Sequence, residues 1–204
     1  MKSTWPSPSG STSLVRQFEA DPPGKLFSLH GDASVFRLSL FAASHALLRG
    51  RPIALVDGTN RFDAYYIAEF ARKVTSQTKR RVTPEQLLRR IFIARAFTCY
   101  QMEATIIERL PVFLKQHNAT VAIIFGLLDT FYDEQAPLFE VNKGVGRIIT
   151  ALQQLKQANI SVLLASVDMK LESKERNALF PRVVAAMDHS LQLMEGQILR
   201  RGTQ

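Results

Sequence analysis

Lys25-Leu26-Phe27-Ser28-Leu29-His30-Gly31-Asp32-Ala33-Ser34-Val35-Phe36-Arg37-Leu38-Ser39 is the stretch on which the fold turns. Lys25 to Leu29 reads as an opening strand that ends at His30-Gly31, and an apolar helix follows as far as Arg49-Gly50. Strand, glycine-bearing loop and helix are the setting of the phosphate-cradling spacing G-x-x-x-x-G-K-[ST], with Gly31 as the first glycine. The second glycine then falls at Phe36, the lysine at Arg37 and the metal-binding hydroxyl at Leu38. A benzyl side chain keeps the backbone from wrapping a phosphate, and leucine ligates no metal. The expectation is a nucleotide site without working parts. At most a weak ATP contact survives, through Gly31, Arg37, Ser39 and the start of the helix.

Outward from this stretch, strand and helix alternate. Pro52 to Asp57 is a short apolar strand, and Phe62 to Lys73 has helical spacing that places Phe62, Tyr65, Tyr66 and Phe70 near an inner face. Thr83-Pro84-Glu85-Gln86 carries a capping threonine, a first-turn proline and a glutamine three residues on, a helix start before the strand Ile91 to Ala94. Gln101 to Gln116 is expected to be a helix kinked at Pro111. Thr120 to Phe125 is the most apolar strand and is expected to be central. A loop with Asp133, Glu134, Pro137 and Gly144 leads into a helix through Ala158, and Ile160 to Val167 is the next strand. Asp188 to Met194 and Gln197 to Arg200 alternate around Glu195-Gly196, an antiparallel hairpin. The fold class is α/β: a mostly parallel central sheet, helices on both faces and an antiparallel C-terminal hairpin.

Composition sets the outer limits. The 204 residues, 46% of them hydrophobic, suit one domain with a full core. Residues 1–23 read as a flexible leader and 24–204 as that domain. The leader is rich in Pro, Ser and Gly and lacks the apolar stretch of a secretory signal. No apolar run is long enough to span a bilayer, so no membrane partner is expected. The lone Cys99 excludes an internal disulfide and fits a reducing compartment, the cytoplasm of a prokaryote or the nucleus of a eukaryote. His30, His45, His117 and His189 show no metal-ligand spacing and read as structural; no metal site is expected.

Net charge is +8 and unevenly placed. Arg72, Lys73, Lys79, Arg80, Arg81, Arg89, Arg90 and Arg95 lie between Ala71 and Arg95 against one acid, Glu85. Such a patch attracts a polyanion without reading its sequence. No aromatic residue lies between Phe70 and Phe92, so base stacking is not indicated, and a solvated loop and helix face is the plain alternative.

The order of these segments resembles the ATPase core of the RecA/RadA recombinase family, from about Gly24 to Arg201. The most specific piece, Ile93-Ala94-Arg95-Ala96-Phe97-Thr98 followed by Gln101, looks like the family's "ARA-aromatic-Asn/Thr" segment and the glutamine beyond it. Asp57 with Phe62 resembles the Asp-Thr-Glu-Gly-x-Phe segment, Val121 to Tyr132 the Walker B strand and its sequel, and Met187 to Arg201 the terminal hairpin. The resemblance implies a RecA-like P-loop NTPase core without the separate N-terminal DNA-binding domain of longer members.

Set against that pattern, the functional positions fail together. Arg37 keeps a charge in the lysine position, but its planar fork is not an ammonium. The Walker B aspartate falls at Gly126, with Asp129 three residues on and expected to point elsewhere unless the strand bulges. The glutamate that positions water falls at Thr59, and the Asn-Gln sensor at Ala165-Ser166. Phosphoryl transfer needs a cradle, a metal site and a group orienting the nucleophile, so no catalytic residue is expected. Of the family's DNA-binding loops, the first falls at the acidic Tyr132 to Glu140, followed by Lys143 and Arg147. The second, Asp168 to Asn177, offers Lys170, Lys174 and Arg176 among acids, and an exposed helix laced by ion pairs explains it equally. DNA affinity is expected mainly from Lys79, Arg80, Arg81, Arg89 and Arg90.

The implied function is a non-catalytic RecA/RadA-like accessory of homologous recombination or DNA repair, binding DNA, a recombinase or another RecA-like subunit, as a homo- or hetero-oligomer. One alternative is a protein-interaction scaffold without DNA binding, docked through Trp5 or through Leu14 to Phe18. The other is an atypical ATP-binding protein or ATPase with displaced catalytic groups, drawn from Asp32, Asp57, Asp129 and Asp133.

Overall fold

A computed structural model describes residues 24–194 and the backbone of 197–200. The leader, the Glu195-Gly196 turn and residues 201–204 lie outside the described residues. In chain order the elements are β1 (Leu26–Gly31), α1 (Ser34–Leu48), β2 (Ile53–Asp57), α2 (Ala64–Gln77), α3 (Pro84–Leu88) and β3 (Ile91–Arg95). Next come α4 (Cys99–Ala104), a π-helical turn (Thr105–Arg109), α5 (Leu110–Gln116) and β4 (Val121–Phe125). A 3-10 turn (Asp129–Phe131), α6 (Leu138–Gln157), β5 (Ser161–Val167), α7 (Lys174–Asn177), α8 (Leu179–Val184), β6 (His189–Met194) and β7 (Gln197–Arg200) complete the chain.

The strand order is β3-β2-β4-β5-β1-β6-β7. The first six strands are parallel throughout, and β7 runs antiparallel to β6. Strand alternation divides the core into two layers. Phe27, Leu29, Leu55, Ile123, Phe125 and Leu163 face α1, α2 and α3. Their neighbours Leu26, Ala54, Val56, Ile124, Val162 and Leu164 face α4, α5, α6 and α8. Both sides of β1, β2 and β4 are buried, which is why these strands read as continuous apolar runs. No helix among the described residues is long and apolar enough to cross a membrane.

Three local expectations need correction. Asp63, which the periodicity passes over, caps α2 by accepting from the backbone N–H of Tyr65 (2.9 Å) and Tyr66 (3.2 Å). That start turns Tyr65 outward, 84% exposed, while Tyr66 and Phe70 stay buried. The helix expected over Gln101 to Gln116 is interrupted before Pro111, not at it. Proline has no N–H and crowds the carbonyl one turn back, and the chain widens into the π-helical turn there. Third, Asp168 to Asn177 is no continuous helix: only Lys174–Asn177 is helical, capped by the Ser173 hydroxyl.

From β1 the chain moves out to β2 and β3, returns through β4 and β5, and passes β1 to reach β6. β1 feeds α1 on one face, whereas its neighbour β5 feeds α8 on the other. In open α/β sheets the crevice at the C-terminal ends of such diverging strands is the usual ligand position.

Candidate functional site

At the end of β1 there is no room for a phosphate loop. Gly31 has φ +141°, and a Cβ there would lie 1.9 Å from the Leu193 carbonyl oxygen of β6. Glycine is required by the passing strand. Asp32 and Ala33 alone connect β1 to α1, and the Asp32 carboxylate accepts from the Ser34 N–H at 2.8 Å. Ser34, Val35 and Phe36, which a cradle would need as loop, are already helical. The Phe36 ring is buried edge-on against Phe125, 5.0 Å between centroids. Leu38 is buried as well. Arg37 is exposed, and its guanidinium lies over the Tyr66 ring at 5.4 Å. Burial of that phenol pushes its pKa up, with the Arg37 charge opposing. Ser39 is fully buried and donates to the Val35 carbonyl at 2.8 Å. Gly31, Arg37 and Ser39 therefore do not converge on one space, and the residues present do not fit ATP with magnesium.

The acidic positions have been rebuilt too. Asp57 is fully buried: Oδ1 accepts from the N–H of Thr59 and Arg61, and Oδ2 from the N–H of Phe62. It holds the β2–α2 loop shut. Gly126 has φ +61°, and a Cβ on it would meet Thr59 Cγ2 at 2.0 Å, so an aspartate does not fit there. Asp129 returns to the same space. Its Oδ2 comes within 3.0 Å of where that Cβ would sit, because the left-handed turn at Gly126 and the 3-10 turn fold the chain back. Asp129 therefore does not point elsewhere: the left-handed turn at Gly126, in place of a strand bulge, returns it.

On the opposite face of β1, a polar cavity of about 240 Å³ opens at the ends of β1, β5 and β6. His30 shares this side of the strand with Leu26 and Ser28, and it is buried, 3% exposed. Its Nδ1 lies 2.8 Å from Asp168 Oδ1, and Gln192 Nε2 donates to Asp168 Oδ2 at 3.3 Å. Phe180 packs edge-on against the imidazole at 5.0 Å. Tyr132 completes the wall; burial first, then the Asp129 and Asp168 charges, push its phenol up to about 12. Burial likewise raises the Asp129 carboxyl above its ordinary value, opposed by its own backbone N–H and by Arg61. From the sequence alone His30 reads as structural. The signal that marks it out is its place at the C-terminal end of a strand, where α/β ligands bind.

The basic residues separate into two groups. Lys79, Arg80, Arg81, Arg89 and Arg90 are all exposed and come together where α2 and α3 end. Arg80, Arg81 and Arg90 line one shallow groove with Leu47, Leu48 and Leu87. Arg90 Nη1 donates to the Leu47 carbonyl at 3.3 Å, which ties the end of α1 into the patch. The Arg90 carbonyl accepts from Ile53 N–H, so the patch sits at the N-terminal ends of β2 and β3. Sequence spacing does not reveal that Arg49 and Arg51, just after α1, belong to the same pole. Lys170 and Lys174 are exposed at the other pole, after β5. Arg176 is not a surface cation. It is buried and donates to the carbonyls of Phe131 (2.5 Å) and Ala136 (2.7 Å), pinning the loop after β4. No group of three or more His, Cys, Asp or Glu able to hold a metal is present among the described residues.

Fold and geometry define an α/β protein with a parallel sheet, a closed loop after β1 and an exposed basic pole. No family model matches the chain, and no curated protein is similar to it.

Proposed function

We propose that this chain is a non-catalytic RecA/RadA-like P-loop NTPase core that binds nucleic acid through its basic pole, as an accessory of homologous recombination or DNA repair. The family resemblance supports the class, and the parallel sheet with helices on both faces agrees with it. The observation that carries the binding role is the gathering of Lys79, Arg80, Arg81, Arg89 and Arg90 on one exposed pole. A multiply charged surface of this kind recruits a phosphate backbone by releasing its counterions. The filled space around Phe36 makes that binding independent of ATP.

A second reading, a scaffold for a recombinase or another RecA-like subunit, draws on the sheet edge. β3 is an edge strand with Ile93 43% exposed, and Phe97 and Tyr100 beyond it are 59% and 54% exposed. Patches of this type mark protein contacts.

Fluorescence anisotropy with single-stranded and duplex DNA separates the readings. The wild-type chain is expected to bind with strong salt dependence and no response to ATP–magnesium. The triple variant Arg80→Ala, Arg81→Ala, Arg89→Ala is expected to weaken binding. Its log–log salt slope on duplex is expected to flatten by about 0.9 for each phosphate that is no longer neutralised. Unchanged affinity in that variant overturns the basic pole as the site. Absence of any DNA binding favours the scaffold, and ATP-dependent binding favours an ATP-binding protein with displaced groups.

A further inference from the structure

The loop between α2 and α3 is held in a fixed shape, which charge alone does not require of a solvated basic loop. Thr75 Oγ1 donates to the Val82 carbonyl and accepts from the Val82 N–H, both at 2.9 Å, closing the loop across its base. Inside it, Thr78 Oγ1 donates to the Val74 carbonyl at 2.8 Å and accepts from the Arg80 N–H at 3.1 Å. The paired hydrogen bonds of Thr83 and Gln86 fix the far end. Lys79, Arg80 and Arg81 are therefore presented from a set backbone, and all three are exposed. Arg90 is anchored in the same groove through its bond to the Leu47 carbonyl.

The chemistry of the groove separates one form of nucleic acid from another. Its lining among the described residues is leucine, valine, glutamine and arginine, with no aromatic ring. Phe92, near the start of β3, is turned to the opposite face of the sheet, where it packs on Phe113 and His117 at 4.9 and 4.0 Å. Single strands are held in general by stacking their bases on aromatic side chains. A surface without such a platform has only the phosphate charge to attract. That charge is denser on a duplex, one per about 1.7 Å of axis against about 3.4 Å along a single strand. Cations on a fixed backbone also gain most from phosphates that are themselves fixed, whereas a flexible strand must first be ordered to meet them.

We infer that the basic pole is a site for double-stranded DNA, held by its phosphate backbone and distinguished from single strands by the fixed shape of the α2–α3 loop. The inference rests on the nucleic-acid reading above and narrows its partner. The planar forks of Arg80 and Arg81 take phosphate oxygens in pairs, with Arg90 beside them in the groove. Contacts of this kind set position on the duplex and carry no sequence information.

The test is competition at one salt concentration. The full chain bound to a labelled duplex is titrated with the same duplex unlabelled, with each of its single strands, and with polyglutamate of equal total charge. The duplex is expected to displace the label about tenfold more effectively, per charge, than either strand or polyglutamate. Thr75→Val keeps the net charge and removes the hydroxyl that closes the loop. It is expected to weaken duplex binding about fivefold and to leave single-strand binding within about twofold, so that the preference narrows. Gln86→Ala, which opens the cap at the other end, is a second variant of unchanged charge, and thermal melts check the fold of both. Equal displacement by single strands overturns the inference and leaves the nucleic-acid reading standing, whereas no binding of either form removes both. Polyglutamate competing as well as duplex overturns the inference, as does a wild-type duplex preference in both folded variants.

Discussion

Two residues at the C-terminal end of the sheet show how one position changes its meaning with its neighbours. Gly31 reads as the first glycine of a cradle, yet β6 passes so close that any side chain would strike the Leu193 carbonyl. Gly31→Ala is expected to cost about 3 kcal/mol of stability by denaturant melts, from the unfavourable positive φ and the clash together. A cost much below that would mean that β6 is free to retreat. Asp129 illustrates the converse, a charge retained at an energetic cost. Burial raises its carboxyl pKa in the fold, so the folded state holds its proton over a range where the unfolded chain, at 3.8, has released it. The folded state then binds more protons, and this group's contribution to stability falls as pH rises from the ordinary carboxylate range through the raised value. Asp129→Asn is therefore expected to raise Tm at pH 7 and to leave it near wild type at about pH 3. Equal melting differences at both pH values would refute a charge effect.

At the scale of elements, the loops after β4 and β5 are tied to each other, and the tie is Arg176. α7 has a single turn, too short to be stable by itself. Its arginine reaches across to the carbonyls of Phe131 and Ala136, while Asn177 holds Leu171. Arg176→Ala is expected to cost about 2–4 kcal/mol, because two carbonyls would be left without charged donors and a cavity would remain. DNA affinity of the folded variant is expected to stay within about twofold of wild type; a large decrease would place Arg176 on the nucleic-acid surface after all. α3 shows an element written into the sequence in full. Thr83 Oγ1 accepts from Gln86 N–H and Gln86 Oε1 accepts from Thr83 N–H, the reciprocal cap that Thr83-Pro84-Glu85-Gln86 announces. Interactions of three residues' reach are legible in this way. The π-helical turn before Pro111 is not, because a proline in a helix can be accommodated by either a kink or a widened turn, and its spacing does not choose between them.

Across the whole molecule, the described residues gather exposed arginines at one pole, while the other carries Lys170 and Lys174 together with carboxylates. The N-terminal ends of β2 and β3 carry the exposed arginines, and the C-terminal ends of β1 and β5 carry the acidic cavity. Sequence by itself determined the class of the fold. The strands Ile53 to Asp57, Val121 to Phe125 and Ser161 to Val167 are apolar on both sides, and buried parallel strands must be so. Phe36 and Leu38, at the positions where the phosphate-loop spacing asks for a glycine and a hydroxyl, are both buried in the core. Tertiary structure alone decided which side chains meet. Strand order set His30, from β1, against Asp168, just past β5, across 138 residues of chain. The fold-back at Gly126 brought Asp129 to a place its sequence position denied it, and packing took Arg176 out of solvent. Such encounters depend on the path of the chain between distant segments, and local composition carries no record of that path.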